Sequence, residues 1–217
     1  MLKIETPIQV KHPHIRIHKR EKKPRQKSLK AAFAGLLSVL RRKPQGTLSV
    51  HSREIFESAN IPARTFLRNF QNADDVLYYA YEDIADVFER EGDPNPESAP
   101  NLNAFLSILL IRLRQHQDSL LIALEKQDRA FWHEAILPLK PILTFNWSQR
   151  SPEAVAHLFR MFADEFCDVL LQWARKGFDE TVLPECISIL KHILFRIGNE
   201  AEYWEDTTKI MKLYRME

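Results

Sequence analysis

The sequence is poor in glycine and cysteine and has no long apolar run. Five glycines in 217 residues are too few for a phosphate-cradling enzyme or a β fold rich in tight turns. The longest apolar stretches, AAFAGLLSVL and AFLSILLI, reach about half of the roughly 20 residues that a membrane helix needs. The basic N-terminus is followed by no apolar segment typical of a secretory signal. We therefore expect a cytoplasmic protein that does not enter a membrane.

The sequence also offers little for catalysis or metal binding. Cys167 and Cys186 lack the spacing of a zinc site, and we interpret them as small buried hydrophobes in a reducing compartment, with a disulfide as the less favoured alternative. The chain has no nucleophile motif and no Gly-rich phosphate loop. Asp164 and Glu165 are adjacent, so they diverge on a helix and cannot act as an acid–base pair. We predict no enzymatic activity, no metal and no cofactor.

What the sequence does contain is helical periodicity, because apolar residues recur at intervals of three and four in a chain rich in strong helix formers. We predict an all-α protein. The first expected helix starts at residue 28 and ends in RRKPQG. The second and third cover 52–59 and 62–70, and the fourth runs from 72 to about 88. Further helices are expected near 101–116, 118–127, 128–146, 152–176 and 184–200. Expected N-caps are Ser52, Asn72, Asp118 and Ser151, Gly177 is an expected stop, and Pro138 and Pro141 should kink or break their helix.

The net charge of +2 conceals a strong division along the chain. Residues 1–30 carry +8, residues 31–79 carry +2 and residues 80–217 carry −8. A basic front and an acidic rear suggest that the front meets a polyanion. Residues 1–26 are polar and interrupted by three prolines, so we predict a flexible basic arm; the alternative is a solvated tail with no role.

The helix predicted at 62–70 has two distinct faces. Phe66 and Phe70 are four residues apart and should pack together under the first helix. The opposite face then presents small and basic residues, namely Ala63, Arg64, Leu67 and Arg68. A short helix that is held by aromatic residues and presents such a face suits insertion into a major groove. The alternative from spacing alone is a solvated face on a helical corner.

The run IFESANIPARTFLRNFQNADDVLYYAY from Ile55 resembles the DNA-binding signature of TetR-type transcriptional regulators. The matching positions, without a gap, are Ile55, Ala59, Ile61, Thr65, Phe66, Phe70, Asn72, Asp74 and Leu77. The resemblance implies a helix-turn-helix domain of three short helices, a long fourth linking helix, and a C-terminal helical domain for ligand binding and dimerisation. We accordingly divide the chain into an arm at 1–26, a DNA-binding domain at 27–79 and an effector-binding and dimerisation domain at 80–217.

The resemblance also implies roles for individual residues. Ala63 and Arg64 fall where the family often reads bases, and Thr65, Leu67 and Asn69 fall where phosphate contacts are usual. With the basic and capping residues of the neighbouring helix starts, the predicted DNA interface comprises Arg25, Lys27, Ser52, Arg53, Ala63, Arg64, Thr65, Leu67, Arg68 and Asn69.

Four positions depart from the family's pattern. Leu67 replaces a customary tyrosine and Ala73 a customary lysine, and each exchange removes a phosphate contact. Pro62 replaces a capping serine, at a cost of about 1 kcal/mol unless the proline is the first helical residue. Asn60 replaces a glycine and is expected to tolerate the same left-handed turn. We expect the basic arm before Ser28 to compensate for the two lost contacts.

The rear domain should hold the partner and effector sites. The segments 152–176 and 184–200 resemble the family's dimerisation helices, which implies a homodimer on a double-stranded DNA operator. An unidentified small-molecule effector is expected, and its candidate contacts are His116, Trp132, Phe145, Trp147 and Phe166. Repression is expected because the family mostly represses. The alternative is a TetR-shaped coactivator or adaptor that has lost specific DNA binding, as the exchanges at Leu67 and Ala73 would permit.

Overall fold

The computed structural model of the protein describes residues 24–43, 49–92, 101–126, 128–144, 147 and 150–214, with side chains up to Asn199. Every regular element in these ranges is helical, which confirms the predicted all-α class. The α-helices found there are α1 (Gln26–Arg42), α2 (Ser52–Ser58), α3 (Ala63–Asn69), α4 (Ala73–Gly92), α5 (Leu102–Gln115), α6 (Gln117–Lys126), α7 (Arg129–Ala135), α8 (Lys140–Leu143), α9 (Pro152–Arg175) and α10 (Leu183–Tyr214). Short 3-10 helices at Leu137–Leu139 and Glu180–Val182 precede α8 and α10.

The first helix forms because its apolar residues line one face. Ala32, Phe33 and Leu36 are buried on that face, while Arg41 and Arg42 occupy the last turn. Cations at this end are favoured because the last carbonyls of a helix carry partial negative charge. α1 starts two residues before the predicted Ser28. The predicted basic arm lies mostly at 1–23, outside the described residues.

The start of α2 differs from the prediction, since His51 is the N-cap and Ser52 is the first helical residue. The reason is the position of Glu54, whose carboxylate accepts the His51 N–H at 2.8 Å. A side chain three residues after the N-cap is placed to make this bond, whereas Ser52 as N-cap would put Ile55 there. Ile55 is instead fully buried against the core.

The corner between α2 and α3 closes in a Schellman motif. The Ile61 N–H donates to the Phe56 carbonyl at 2.8 Å, and the Asn60 N–H donates to the Glu57 carbonyl at 3.2 Å. Asn60 has φ of 52°, which confirms the left-handed turn expected of it. Pro62 is the N-cap of α3 and not its first helical residue. It makes no side-chain capping bond, so the bond that the family's serine would make is missing here.

The fourth helix is capped as predicted. The Asn72 side chain accepts the Asp75 N–H at 2.9 Å, and the Asp75 carboxylate accepts the Gln71 N–H at 2.7 Å. Asp74 and Asp75 in the first turn also oppose the positive end of the helix dipole. Asp75 is buried at 6% exposure, and these bonds are what make its burial tolerable.

In the rear helices, the region predicted as one helix at 128–146 is broken as its prolines require. Pro138 lies in a 3-10 turn and Pro141 in the short α8, because proline lacks an N–H and its ring clashes with the preceding helical turn. Asp118, predicted as an N-cap, is instead the second residue of α6. The helix starts earlier because the His116 carbonyl already accepts the Leu120 N–H at 2.9 Å.

The boundaries of α9 follow the prediction closely. The Ser151 side chain caps its first turn by accepting the Ala154 N–H at 3.2 Å. At its end Gly177 takes a φ of +69°, and the Phe178 N–H donates to the Trp173 carbonyl at 3.0 Å. The rings of Trp173 and Phe178 are 5.1 Å apart, which adds the hydrophobic contact that commonly accompanies such an ending.

A continuous hydrophobic core joins the helices from α1 to α10. α6 packs against both α1 and α4, and α9 packs against α10. The Ser119 hydroxyl of α6 donates to Asp83 of α4 at 2.6 Å, and Arg41 of α1 lies 3.8 Å from Glu125 of α6. The predicted boundary at residue 79 falls inside α4, so the two predicted domains share a helix and a core.

Candidate nucleic-acid interface

The two faces of α3 are divided as the sequence predicted. Phe66 and Phe70 are each 1% exposed, and their ring centroids are 5.0 Å apart. Phe56 of α2 lies 5.8 Å from Phe66, so aromatic packing fixes α3 from behind. The outward residues Ala63, Arg64, Leu67 and Arg68 are all exposed. Leu67 leaves 52% of its surface in solvent.

Arg64 differs from Arg53 in its side-chain contacts. Among the described residues it has no hydrogen-bond or ion-pair partner. Arg53, also predicted to contact DNA, is bound instead to Glu57 at 2.6 Å on its own helix. α3 itself contains no acidic residue, so an incoming anion meets no opposing charge on that helix. The Arg64 guanidinium is therefore exposed, with no described residue bound to it.

The flanking positions of α3 are less accessible than Arg64. Thr65 and Asn69 are half-buried, and the Asn69 amide donates to the Thr65 carbonyl at 2.7 Å. The Asn69 side-chain oxygen and the Thr65 hydroxyl remain as polar groups at the rim of the exposed face. They are oriented by α3 rather than held by another helix.

The basic start of α1 also carries predicted contacts. Arg25 and Lys27 are exposed, as is Lys30, while Ser52 at the start of α2 is half-buried. Arg25 is the N-cap of α1, and its carbonyl accepts the N–H groups of Ser28 and Leu29. The side chains of Arg25, Lys27 and Lys30 give the front of the molecule positive charge beyond that of α3.

A polar network at the other end of α1 holds α2 in place. Arg42 donates to the Ser58 hydroxyl at 2.7 Å and to the Ser38 carbonyl at 3.0 Å. Lys43 donates to Glu54 at 2.9 Å. The His51 N–H, followed by the Lys43 ammonium, lowers the pKa of Glu54 from its ordinary 4.5. These bonds orient the helix that carries the α2–α3 corner.

This network borders a surface cavity of about 420 Å³. Its lining residues are Val39, Arg42, Lys43, Glu54, Glu57 and Ser58. This arrangement could not be predicted from the sequence, because the basic run at 41–43 signals a helix end but its partners lie on α2. Spacing along the chain could not pair residues that only meet when two helices cross.

Two of the predicted effector contacts belong to one aromatic cluster in the rear. Trp132 is 2% exposed and Phe166 is fully buried. Both rings meet Phe88 of α4 edge to face, at centroid distances of 6.2 and 6.1 Å. The ring of Tyr81, two turns before Phe88 on the same face of α4, stacks on Phe131 at 3.9 Å. Burial raises the pKa of the Tyr81 hydroxyl. The cluster couples α4 to α7 and α9.

Trp147 occupies a different place, beside a surface cavity of about 350 Å³. The cavity is lined by Lys140, Pro141, Thr144, Trp147, Arg150, Pro152 and Val155. Arg150 donates to the Gly198 carbonyl of α10. A Cβ on Gly198 would lie 2.8 Å from the Trp147 indole nitrogen, so glycine makes room for the ring. The predicted contact Phe145 lies outside the described residues.

Two of the rear histidines lie next to carboxylates. His116 lies 2.9 Å from Asp83 of α4, and His133 of α7 lies 3.0 Å from Asp164 of α9. His116, a predicted effector contact, thus joins the α5–α6 corner to α4. Each pair ties two helices together, so both imidazoles have a polar partner within the protein.

Other possible sites are sparse in the described part of the chain. No group of three or more His, Cys, Asp or Glu side chains there is arranged to hold a metal ion. Burial raises the pKa of the Cys167 thiol and, to a smaller extent, that of Cys186, and both thiols are free. Of the helices in these ranges, none combines the length and apolarity needed to cross a membrane.

Comparison with known proteins does not extend the resemblance found in the sequence. No protein-family model matches the chain, and no curated protein is significantly similar to it.

Proposed function

We propose that the protein is a TetR-like transcriptional regulator that binds DNA as a homodimer. In this proposal α2 and α3 form a helix-turn-helix, and α3 enters the major groove. The observation that carries it is the outward face of α3, where the exposed Arg64 has no partner among the described residues. Phe66 and Phe70 support this helix from behind, so the face is presented on a rigid element.

The proposed contacts follow from side-chain type and exposure. Ala63 is small enough to let the helix approach the base edges, and Arg64 can donate two bonds to a guanine. Arg68, Thr65 and Asn69 have donors for phosphate oxygens. The cationic start of α1, with Arg25 and Lys27, adds phosphate contacts beside the groove, and the Ser52 hydroxyl at the start of α2 can add another. Arg53 would exchange its ion pair with Glu57 for a phosphate.

Dimerisation is proposed through α9 and α10. The outer side of α10 exposes Phe195 at 69% and Ile189 at 36%, with His192 between them. Residues spaced by three lie within one arc of a helix, so these side chains offer one apolar strip to a second copy. Two α3 helices would then contact successive major grooves, about 34 Å apart on a pseudo-palindromic operator.

We further propose ligand control, as the resemblance to the TetR family implies. We place the effector site at the cavity beside Trp147, where an indole ring, two cations and a threonine converge. Lys140 and Pro141 of this cavity belong to α8, which packs against α4, so a ligand that moves α8 would move the helix connected to α3. A ligand that binds one arrangement of these helices more tightly than the other would then change the affinity for DNA. The expected direction is that the ligand releases the DNA and so relieves repression.

The test is selection of binding sites from a random duplex pool, followed by measurement of Kd for the selected sequence and for scrambled DNA. We expect a two-fold symmetric consensus bound at least 100-fold more tightly than scrambled DNA, within the range usual for specific proteins. Arg64→Ala should weaken binding about 5- to 100-fold and relax preference at one position per half-site. The exposed Arg90→Ala in α4 is the matched control and should leave binding unchanged.

The alternative function is an adaptor that works through protein contacts. It is favoured by the exposed apolar surface of Leu67 at the centre of the proposed DNA face. It is also favoured by Ala73, which is 7% exposed and offers no cation at the start of α4. Binding that is equally tight for selected and scrambled DNA and disappears with salt would support the adaptor and overturn the regulator.

A further inference from the structure

Leu67 is the large apolar side chain on the exposed face of α3. It is 52% exposed and lies one helical turn after Arg64 and next to Arg68. Exposed leucines are ordinary when they are scattered over a surface. Here the position matters, because Leu67 lies beside Arg64 on the face proposed to meet DNA, and Arg68 shares that face.

Leucine has no donor or acceptor, so Leu67 cannot replace the phosphate contact of the family's customary tyrosine. Against a phosphate its surface would desolvate a charged group without any compensating bond. The major-groove edge of DNA does present one apolar group, the C5-methyl of thymine. 5-Methylcytosine carries the same group at the same position of the ring.

We propose that Leu67 is a specificity-determining residue that packs on the C5-methyl group of a pyrimidine in the major groove. This inference rests on the proposed function, since it assigns one base contact within that interface. Its occupant is duplex DNA because the same exposed face carries the cations Arg64 and Arg68, and α3 contains no acid. An apolar protein partner would have to desolvate both arginines, whereas a nucleic acid supplies acceptors for them.

The size of the effect follows from the surface of one methyl group. Transfer of a methyl-sized apolar group from water to an apolar contact changes an equilibrium constant about 4-fold. A half-site contains one copy of Leu67, so the effect should appear at one position per half-site. Loss of the methyl from both half-sites should weaken binding about 16-fold if the two contacts are independent.

The experiment uses the full chain and the consensus sequence selected from random DNA. Each thymine is replaced in turn by deoxyuridine, which keeps every hydrogen bond and removes only the C5-methyl. Fluorescence anisotropy then gives the ratio of Kd values for the two DNAs. We expect one position per half-site with a ratio of about 4. If the selected base there is cytosine, 5-methylcytosine should instead strengthen binding by the same factor, which distinguishes the two sources of the methyl group.

Two substitutions assign the effect to this side chain. Leu67→Ala should bring the ratio to about 1 at that position while leaving the salt dependence unchanged, because it removes apolar surface and no charge. Leu67→Met keeps an apolar side chain of similar volume and should preserve most of the discrimination. Circular dichroism melting of each variant checks that the exposed substitution leaves the fold intact.

The outcomes separate this inference from the proposed function. A consensus without a methyl-sensitive position, or a sensitivity that Leu67→Ala leaves unchanged, overturns thymine reading and leaves the regulator in place. Failure to select any consensus overturns the regulator, and thymine reading with it.

Discussion

Gly35 of α1 lies so close to Ala59 after α2 that a Cβ on the glycine would be 2.8 Å from the alanine Cβ. The same Cβ would be 2.5 Å from the Ile55 carbonyl oxygen, which is closer than such atoms approach. This crossing sets the distance between α1 and α2, and α2 in turn carries the corner that leads to α3.

We therefore expect Gly35→Ala to destabilise the protein by about 1–3 kcal/mol through overpacking. Helix propensity alone would make the same change stabilising by roughly 1 kcal/mol, so the sign of the effect tests the close approach. Urea unfolding followed by circular dichroism measures it. Ala34→Ser, at the exposed neighbouring position, should change stability by less than about 0.5 kcal/mol.

A second prediction concerns the left-handed Asn60 in the α2–α3 corner. Because its φ is 52°, an alanine there should be about 1 kcal/mol less stable than a glycine. Thermal melts of Asn60→Ala and Asn60→Gly make the comparison directly. Equal stabilities would contradict the corner geometry. We also expect weaker DNA binding by Asn60→Ala, since the corner orients α3.

The pH dependence of stability should reflect Glu54, whose pKa is lowered in the folded protein. A depressed carboxyl pKa adds stability above the unfolded value of about 4.5, and this stability is lost as the pH falls through the folded value. Wild type should therefore exceed Glu54→Gln in stability at pH 7, and the difference should shrink below pH 4.5. Urea unfolding at several pH values measures it.

The exposed Glu89, on the side of α4 away from the core, is the control. Glu89→Gln should show little difference from wild type across this pH range. A Glu54→Gln difference that grows as the pH falls would contradict the assigned bonds to His51 and Lys43.

Removal of residues 1–24 should weaken operator binding and reduce its salt dependence. These residues contain seven Lys or Arg, and each phosphate contact adds about 0.9 to the slope of log K against log salt. The slope should therefore fall by up to about 6. A full-length variant with those seven residues changed to glutamine separates charge from length. An unchanged slope in the truncated protein would mean that the arm makes no phosphate contact.

Phe195→Glu should convert the proposed dimer to a monomer, because it places a charge on the most exposed large apolar side chain described. Sedimentation velocity over a range of concentrations gives the mass, and operator binding should weaken because half-sites would be bound singly. Ile111→Glu on α5 is the matched control, since Ile111 is also exposed, at 46%. A monomer from Ile111→Glu with Phe195→Glu still dimeric would move the interface to α5.

Much of the fold could be predicted from local chemistry. The period of apolar residues gave the helices, and Ser151, Asn72 and Gly177 marked their ends because capping bonds form within a few residues. Ser52 and Asp118 were wrong as caps because other groups nearby made the deciding bonds, namely Glu54 with His51 and the His116 carbonyl with Leu120.

The candidate site could be predicted in part for the same reason. Phe66 and Phe70 had to share a face of α3, which forced Arg64 and Leu67 outward. The exposure of each side chain needed the packed helices, whereas the pairing of Arg53 with Glu57 is an i, i+4 contact within α2 that the sequence offered and the prediction did not use. Several side chains compete for the same partner on a surface, and the period of a helix does not decide among them.

By itself the sequence determined which segments are helical, which face of each is apolar, and where the positive charge lies. Tertiary structure alone decided that Gly35 meets Ala59, that α6 bridges α1 and α4, and that Trp147 lies apart from Trp132. The physical reason is range. Hydrogen bonds within a helix and capping bonds join residues a few positions apart, while these contacts join residues brought together only when the apolar faces pack into one core.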